Sequence, residues 1–245
     1  MGSQIKPNQH SSEGKKVQIA NMFNNIAFKY DFLNHFLSLN IDKLWRKKVV
    51  KLLIKKKPKR VLDVATGTAD LAIASLKANP ERIDGVDISV GMLEVGKNKL
   101  IQKKLQDQIF LQVGDAEQIP FETNTFDAVT VAFGVRNYEH LQNGLNEMFR
   151  VLNDGGITLI LEFTMPTAFP IKQLYTFYFK FILPFIGKVL SSNKQAYSYL
   201  HNSVQAFPQN NEFVKCMEKA GFESCSIKKL SFGIAAIYYG KKLAK

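Results

Sequence analysis

The sequence predicts an α/β fold: a seven-stranded, mostly parallel sheet covered by helices on both faces and ending in a C-terminal antiparallel hairpin. Two patterns predict it. Short apolar runs alternate with helical stretches from Arg60 to Phe163, and two strand-like runs stand almost back to back near the chain end. Crossovers as long as a helix join parallel strands, whereas a very short link forces antiparallel pairing. With 245 residues, 46% of them hydrophobic, the chain has material for one sizeable core.

Residues 1–16 have no apolar middle and are expected to form a mobile tail ahead of a single domain over 17–245. The start is Met-Gly, but Lys6 stands where a myristoylation signal needs Ser or Thr. N-terminal helices are expected over 17–57. Within them, Lys43 to Leu62 holds ten basic residues and no acidic one. Leu44, Trp45, Val49, Leu52 and Leu53 recur there at helical spacing until Pro58 closes the pattern, which gives a basic amphipathic helix. Such a helix either rests on an anionic surface or packs on a core with a solvated basic outer side.

The alternation that follows reads as strand Arg60–Ala65, helix Asp70–Asn79, strand Arg82–Val86, helix Val90–Leu105, strand Ile109–Val113, strand Phe126–Phe133, helix Leu141–Val151 and strand Gly156–Phe163. Pro208–Ala220 is helical. Phe222–Lys229 and Phe232–Lys241 form the hairpin, linked by Leu230–Ser231. Between Thr164 and Phe207 the alternation stops. That stretch is dense in aromatics, is interrupted by Pro170, Pro184 and Gly187, and is charged only at Lys172, Lys180, Lys188 and Lys194. It is expected to be a helical lid inserted over residues 164–207.

Three strand ends carry candidate chemistry. Val61-Leu62-Asp63-Val64-Ala65-Thr66-Gly67-Thr68 runs a strand into a small-residue turn, where backbone amides approach a ligand closely. Asp63 would bond an amino group there, and Thr68 would add a hydroxyl. The turn has neither the phosphate cradle of P-loop proteins nor a G-x-G-x-x-G run. Asp87 ends the second strand and is placed to accept both ribose hydroxyls or, alternatively, to cap the next helix, which Ser89 does equally well. Asp115 follows the third strand, where it would accept from an adenine amino group beside Ala116. Ala65, Gly67, Ile88, Met92 and Phe133 complete the expected cofactor set. An amino-acid end, a ribose end and a base end, with no basic residue expected along the three turns, describe S-adenosylmethionine. The sheet and these tips together are the signature of Rossmann-like class I methyltransferases.

Other segments carry a more specific likeness. Val17-x4-Met22-Phe23-Asn24-Asn25-Ile26-Ala27-x2-Tyr30-Asp31, Asp42-x2-Trp45-Arg46, Phe133-Gly134-Val135-Arg136-Asn137, Leu161-Glu162-Phe163 and Tyr197-x-Tyr199-Leu200 resemble the ubiquinone/menaquinone biosynthesis C-methyltransferase family. The likeness runs from about Val17 to Gly240. It departs at Thr66 and Ala69, where many members have glycine. The resemblance implies methylation of a ring carbon on a polyprenyl quinol, most simply demethylmenaquinol, with the equivalent benzoquinol as the alternative. It points to Arg136 as a cation beside the substrate oxygen, or a brace for the lid, and to Asn137 as the group orienting that oxygen. Asp31, Tyr199 and His201 are the side-chain candidates for proton acceptor, with water as a further option.

The remaining features narrow the function. The four histidines show no metal-ligand spacing, so no metal is expected. A net charge of +12 keeps an RNA methyltransferase or RNA-binding protein as a competing reading, but the basic residues cluster on one helix and no RNA-binding module is present; nucleic acid is not expected. The third reading is a scaffold that binds the donor without reacting, which the complete Asp63, Asp87, Asp115 and Arg136 set opposes. Only Cys216 and Cys225 occur, in keeping with a reduced cytoplasmic setting and a peripheral seat on the inner face of an anionic membrane. The oligomeric state stays open, a homodimer included.

Overall fold

The computed structural model describes residues 5–178, 181 and 194–244. Its sheet has seven strands: β1 (Arg60–Val64), β2 (Arg82–Asp87), β3 (Ile109–Val113), β4 (Phe126–Ala132), β5 (Leu152–Phe163), β6 (Glu223–Leu230) and β7 (Ala235–Lys241). They lie in the order β3-β2-β1-β4-β5-β7-β6. The first five pair in parallel, and β7 runs antiparallel to both β5 and β6. The predicted sheet and terminal hairpin are both present.

Side chains alternate across the sheet, so β1 feeds two cores. Val61 joins Trp45, Val49, Leu53 and Leu71 on one face. Leu62 and Val64 join Leu145, Met148, Phe213 and Tyr238 on the other. The helices over these cores are α1 (Lys15–Leu37), α2 (Ile41–Lys56), α3 (Asp70–Ser75), α4 (Val90–Lys103), α5 (Leu141–Val151), α6 (Ile171–Phe177), α7 (Lys194–Ala206) and α8 (Asn211–Lys219).

Several boundaries differ from the sequence expectation, each for a local reason. α1 already begins at Lys15, so Lys15 and Lys16 belong to a helix and not to the tail. The Lys15 ammonium caps the carbonyls of Tyr138 (2.7 Å) and Arg136 (3.3 Å). β5 starts at Leu152, and a bulge separates its Phe126–Leu152 pair from the Ala128–Ile157 pair. The hairpin link is a 3-10 turn over Ser231–Gly233, longer than the two residues expected. α3 shortens into a 3-10 turn over Leu76–Ala78. In α2 the buried face is Trp45, Arg46, Val49, Val50 and Leu53, and Leu44 points outward. Of the lid, Ile171–Phe177 and Lys194–Ala206 are helical; residues 179–180 and 182–193 lie outside the described set.

A charged network joins α1, α2, α3 and α4. The His35 ring lies between Asp42 (2.8 Å) and Asp70 (3.5 Å). Arg46 pairs with Asp42 and lies 3.7 Å from Asp70. Lys99 holds Asp31 and Asp70, both at 2.7 Å. Closer to the sheet, Gly96 lets α4 lie on the turn after β1: a Cβ there would stand 2.9 Å from Leu111 and 3.3 Å from the Thr68 carbonyl carbon. Gly96→Val is therefore expected to force α4 off that turn and cost about 1–3 kcal/mol of stability, read by urea denaturation; an unchanged midpoint would show that α4 yields without strain.

Candidate active site

The chain turns from building one half of the sheet to the other between β1 and β4, and open α/β sheets bind ligands at the carboxyl edge of that switch point. A cleft, partly open to solvent, lies there. Its floor is Ala65, Gly67, Phe133 and Gly134, its far wall Asp87, Ile88, Met92, Asp115 and Ala116. Gly134 lets the two strand ends meet, since a Cβ there would fall 2.6 Å from that of Ala65. Three non-glycine residues take left-handed backbone at these ends: Ala65 (φ 52°), Ala69 (φ 67°) and Phe133 (φ 62°). Ala69 is one of the two positions where the sequence departs from glycine, and it carries the strain that glycine would avoid.

Asp63 is not in the cleft wall. It is buried behind the turn, where it accepts from the hydroxyls of Thr66 and Thr130, each at 2.7 Å. Burial pushes its carboxyl up to about 6, against the pull of those two hydrogen bonds. It joins the ends of β1 and β4. Thr68 is likewise turned inward. Its hydroxyl donates to Asp31 at 2.5 Å and accepts from Lys99 at 3.2 Å.

Asp87 does line the cleft. Its two oxygens accept the backbone N–H groups of Gly67 and Ser89, each at 2.8 Å, and each keeps a second lone pair for a ligand hydroxyl. The cap of α4 is Ser89, whose hydroxyl accepts from the Met92 N–H. Asp115 lines the cleft too, but a basic partner accompanies it. The Lys16 ammonium lies 2.5 Å from Asp115 and 3.5 Å from Glu117. Burial opposes the Lys16 charge, and the two carboxylates outweigh it and raise its pKa. The expectation of turns free of basic residues fails because the lysine arrives from a distant helix.

That helix supplies the part of the site that sequence reasoning missed. Lys16, Ile19, Phe23 and Tyr30 all face the cleft from α1. Their spacing keeps them on one helical face along about 21 Å, so α1 covers the cleft lengthwise. The 3-4-7 spacing is readable in the sequence, but Lys16 falls in the stretch expected to be tail. Asn24 fastens the helix by accepting from the Ser89 hydroxyl (2.7 Å) and the Gly91 N–H (2.9 Å).

Of the catalytic candidates, only Asn137 borders the cleft. Its Oδ1 accepts from the Tyr199 hydroxyl at 3.1 Å, which brings α7 onto the loop after β4. Arg136 is buried beside it and pairs with Glu162 of β5 at 2.8 Å. Burial opposes the guanidinium charge and Glu162 outweighs it, holding Arg136 firmly protonated. Its Nε is buried without a hydrogen-bond partner among the described residues. Burial raises the phenol pKa values of Tyr30, Tyr175 and Tyr199, while the Arg136 charge pulls each of them back. Asp31 is committed to Thr68 and Lys99. His201 sits two residues past Tyr199, on a different side of α7, with its pKa lowered by burial. Among the described residues no cluster of three or more His, Cys, Asp or Glu is arranged to hold a metal.

The fold and this cleft define a class I methyltransferase, and the donor set suits S-adenosylmethionine: lone pairs at the Asp87 tip, a carboxylate at Asp115, and a glycine floor that admits close approach. A solved methyltransferase from Thermotoga maritima described as S-adenosylmethionine-dependent shares this fold, with a TM-score of 0.64, 17% identity, and coverage of 91% of this chain and 99% of that one. The chain belongs to the ubiE/COQ5 methyltransferase family, whose model matches residues 9–242. A demethylmenaquinone methyltransferase from Bacteroides fragilis is 45% identical, with 97% of each chain covered. A ubiquinone/menaquinone biosynthesis C-methyltransferase from Geobacter sulfurreducens is 43% identical over 93% of this chain and 90% of its own.

The buried carboxyl gives a pH signature. Because Asp63 has a folded pKa of about 6 against an ordinary value of 3.8, its contribution to stability is complete below about pH 4 and is lost as pH rises through 6. Relative to Asp63→Asn, the wild type should lose about 3 kcal/mol between pH 4 and 7. Urea unfolding of both proteins at each pH measures it, and a constant difference would refute the assignment.

Proposed function

We propose that the protein transfers a methyl group from S-adenosylmethionine to a ring carbon of a polyprenyl quinol, with demethylmenaquinol as its substrate. The observation that carries this reading is the Arg136–Asn137 loop, which borders the donor cleft and is held by Glu162 on one side and Tyr199 on the other. The name of the Bacteroides fragilis relative favours the naphthoquinol over the benzoquinol.

The bound donor supplies a sulfonium-activated methyl group. The protein's own residues then have three tasks. Asp87 accepts the ribose hydroxyls, Asp115 accepts from the adenine amino group, and Ala65, Gly67 and Phe133 set the depth at which the donor sits. Arg136 favours the quinol oxyanion, whose charge makes the ring carbon nucleophilic. With Oδ1 of Asn137 taken by Tyr199, its Nδ2 keeps only a 3.5 Å contact to the Phe133 carbonyl and turns a donor toward the substrate oxygen.

The proton goes to solvent. Asp31 has both oxygens engaged, Tyr199 stays protonated because burial raises its pKa, and His201 lies outside the cleft wall. The described helices of the aromatic insertion, α6 and α7, shelter the first isoprene units. The tail keeps the substrate in a bilayer, so the enzyme works as a peripheral protein against anionic lipid; among the described residues no helix is long and apolar enough to cross a membrane.

Incubation with labelled S-adenosylmethionine and a reduced short-chain naphthoquinol should place the label on the ring carbon, and the oxidised quinone should remain unlabelled. Label on oxygen, or none with either quinol class, overturns the proposal. Arg136→Lys should lower turnover about a hundredfold with donor affinity by calorimetry nearly intact; an equal loss of both would make Arg136 a scaffolding residue.

A further inference from the structure

The outward side of α1 is unusual for a soluble surface. Phe28, Phe32 and Phe36 recur every four residues and form a stripe, 87%, 61% and 46% exposed, opposite the face that lines the cleft. Phe32 and Phe36 stack at 5.8 Å. The stripe continues into Leu39, at the corner where α1 turns into α2, and Leu39 is 76% exposed.

A second element adds to it. β6 runs in the same direction as β5, since both oppose β7, so the turn after β6 lies at the carboxyl edge of the sheet with the cleft. That turn holds Phe232 at φ 57° after Ser231 at φ 45°, backbone that a bulky side chain rarely adopts. The Trp45 indole donates to the Ser231 hydroxyl at 2.9 Å and fixes the turn against α2. Phe232 is thereby left 79% exposed. On the other side of Thr164, whose hydroxyl donates to the Gly233 carbonyl at 2.7 Å, Phe169 is 81% exposed.

Along α1 and α2 the outward charge has one sign. From Asn25 to Lys57 the acidic residues are Asp31 and Asp42 alone, and both are turned to internal partners, Lys99 and Arg46. Lys29, Lys43 and Lys47 are exposed beside the aromatic stripe and the α1–α2 corner. The rest of the basic helix runs down the flank, and its Lys56 reaches the Gly155 carbonyl at the opposite edge, so only the first turns of α2 can share the surface of the stripe.

We infer that the outer face of α1, the Leu39 corner and the Phe232 turn form one docking surface that inserts into an anionic bilayer, the aromatics entering the acyl boundary and Lys29, Lys43 and Lys47 meeting the headgroups. Exposed aromatics with lysines at their border are the composition of interfacial anchors, and the absence of outward carboxylates suits a negative surface. The inference rests on the proposed lipid-tailed substrate and specifies where that substrate enters: at the carboxyl edge, beside the cleft.

The test is co-sedimentation with vesicles of phosphatidylcholine alone or mixed with phosphatidylglycerol, alongside turnover on a water-soluble short-chain quinol. Wild type should pellet with the anionic vesicles. Phe28→Ser/Phe32→Ser and, separately, Phe232→Ser should each weaken binding at least about tenfold at low salt, and Lys43→Ser/Lys47→Ser should weaken it at low salt and make what remains less sensitive to salt. Turnover on the soluble quinol should not change in any of these variants. Undiminished binding by the phenylalanine variants overturns the surface, as does a concentration-dependent dimer that these variants abolish, which would assign the face to a second copy. Activity on soluble quinol without vesicle binding also overturns it and leaves methyl transfer standing; loss of both in the wild type falls on the proposed function.

Discussion

One buried carboxylate organises the carboxyl edge of this sheet. Asp63 takes a threonine hydroxyl from its own turn and another from the neighbouring strand, and so ties together two segments that the chain builds far apart. The arrangement needs no charge at the ligand. It fixes the turn from behind, where water cannot compete, and leaves the cleft lined by backbone, by Asp87 and by small side chains. A ligand can approach the backbone only because Gly67 and Gly134 leave room. The left-handed residues around them store strain that this bonding supports.

The cover is as much a part of the site as the floor. α1 reaches the cleft through Lys16, Ile19, Phe23 and Tyr30, and it is fastened near its start by Lys15, in its middle by Asn24 and towards its end by Asp31 and His35. Each fastening lands on a different part of the sheet domain. Burial lowers the Lys15 pKa to about 8, against the carboxylates of Glu117 and Glu139. Its ammonium donates to two carbonyls, those of Tyr138 and Arg136.

Much of this was legible in the chain itself. Short apolar runs gave β1 to β4 within a residue or two, since parallel strands buried on both faces admit little else. The strand-end acids Asp87 and Asp115 line the cleft, as the geometry of an open sheet leads one to expect of its strand tips. What the sequence hid was longer in range. The hydrogen bond from Thr130 to Asp63 spans 67 residues, beyond what a local pattern shows. Lys16 looked like tail because its partners, Asp115 and Glu117, lie on another element. Glu162 is an acid in the otherwise uncharged second half of β5, and only the parallel pairing of β4 with β5 brings it under Arg136. Leu44 had the right spacing for the core but the wrong side of α2, a distinction that one helix pattern with so many lysines does not make.

A single helix forming the wall of the donor pocket on one side and an outward aromatic surface on the other has a mechanical consequence. Any tilt of α1 wide enough to admit a fresh donor also tilts Phe28, Phe32 and Phe36. Replenishment of the methyl source and the grip on the surroundings thus share one lever, and whatever clamps the outside of that lever slows exchange on the inside.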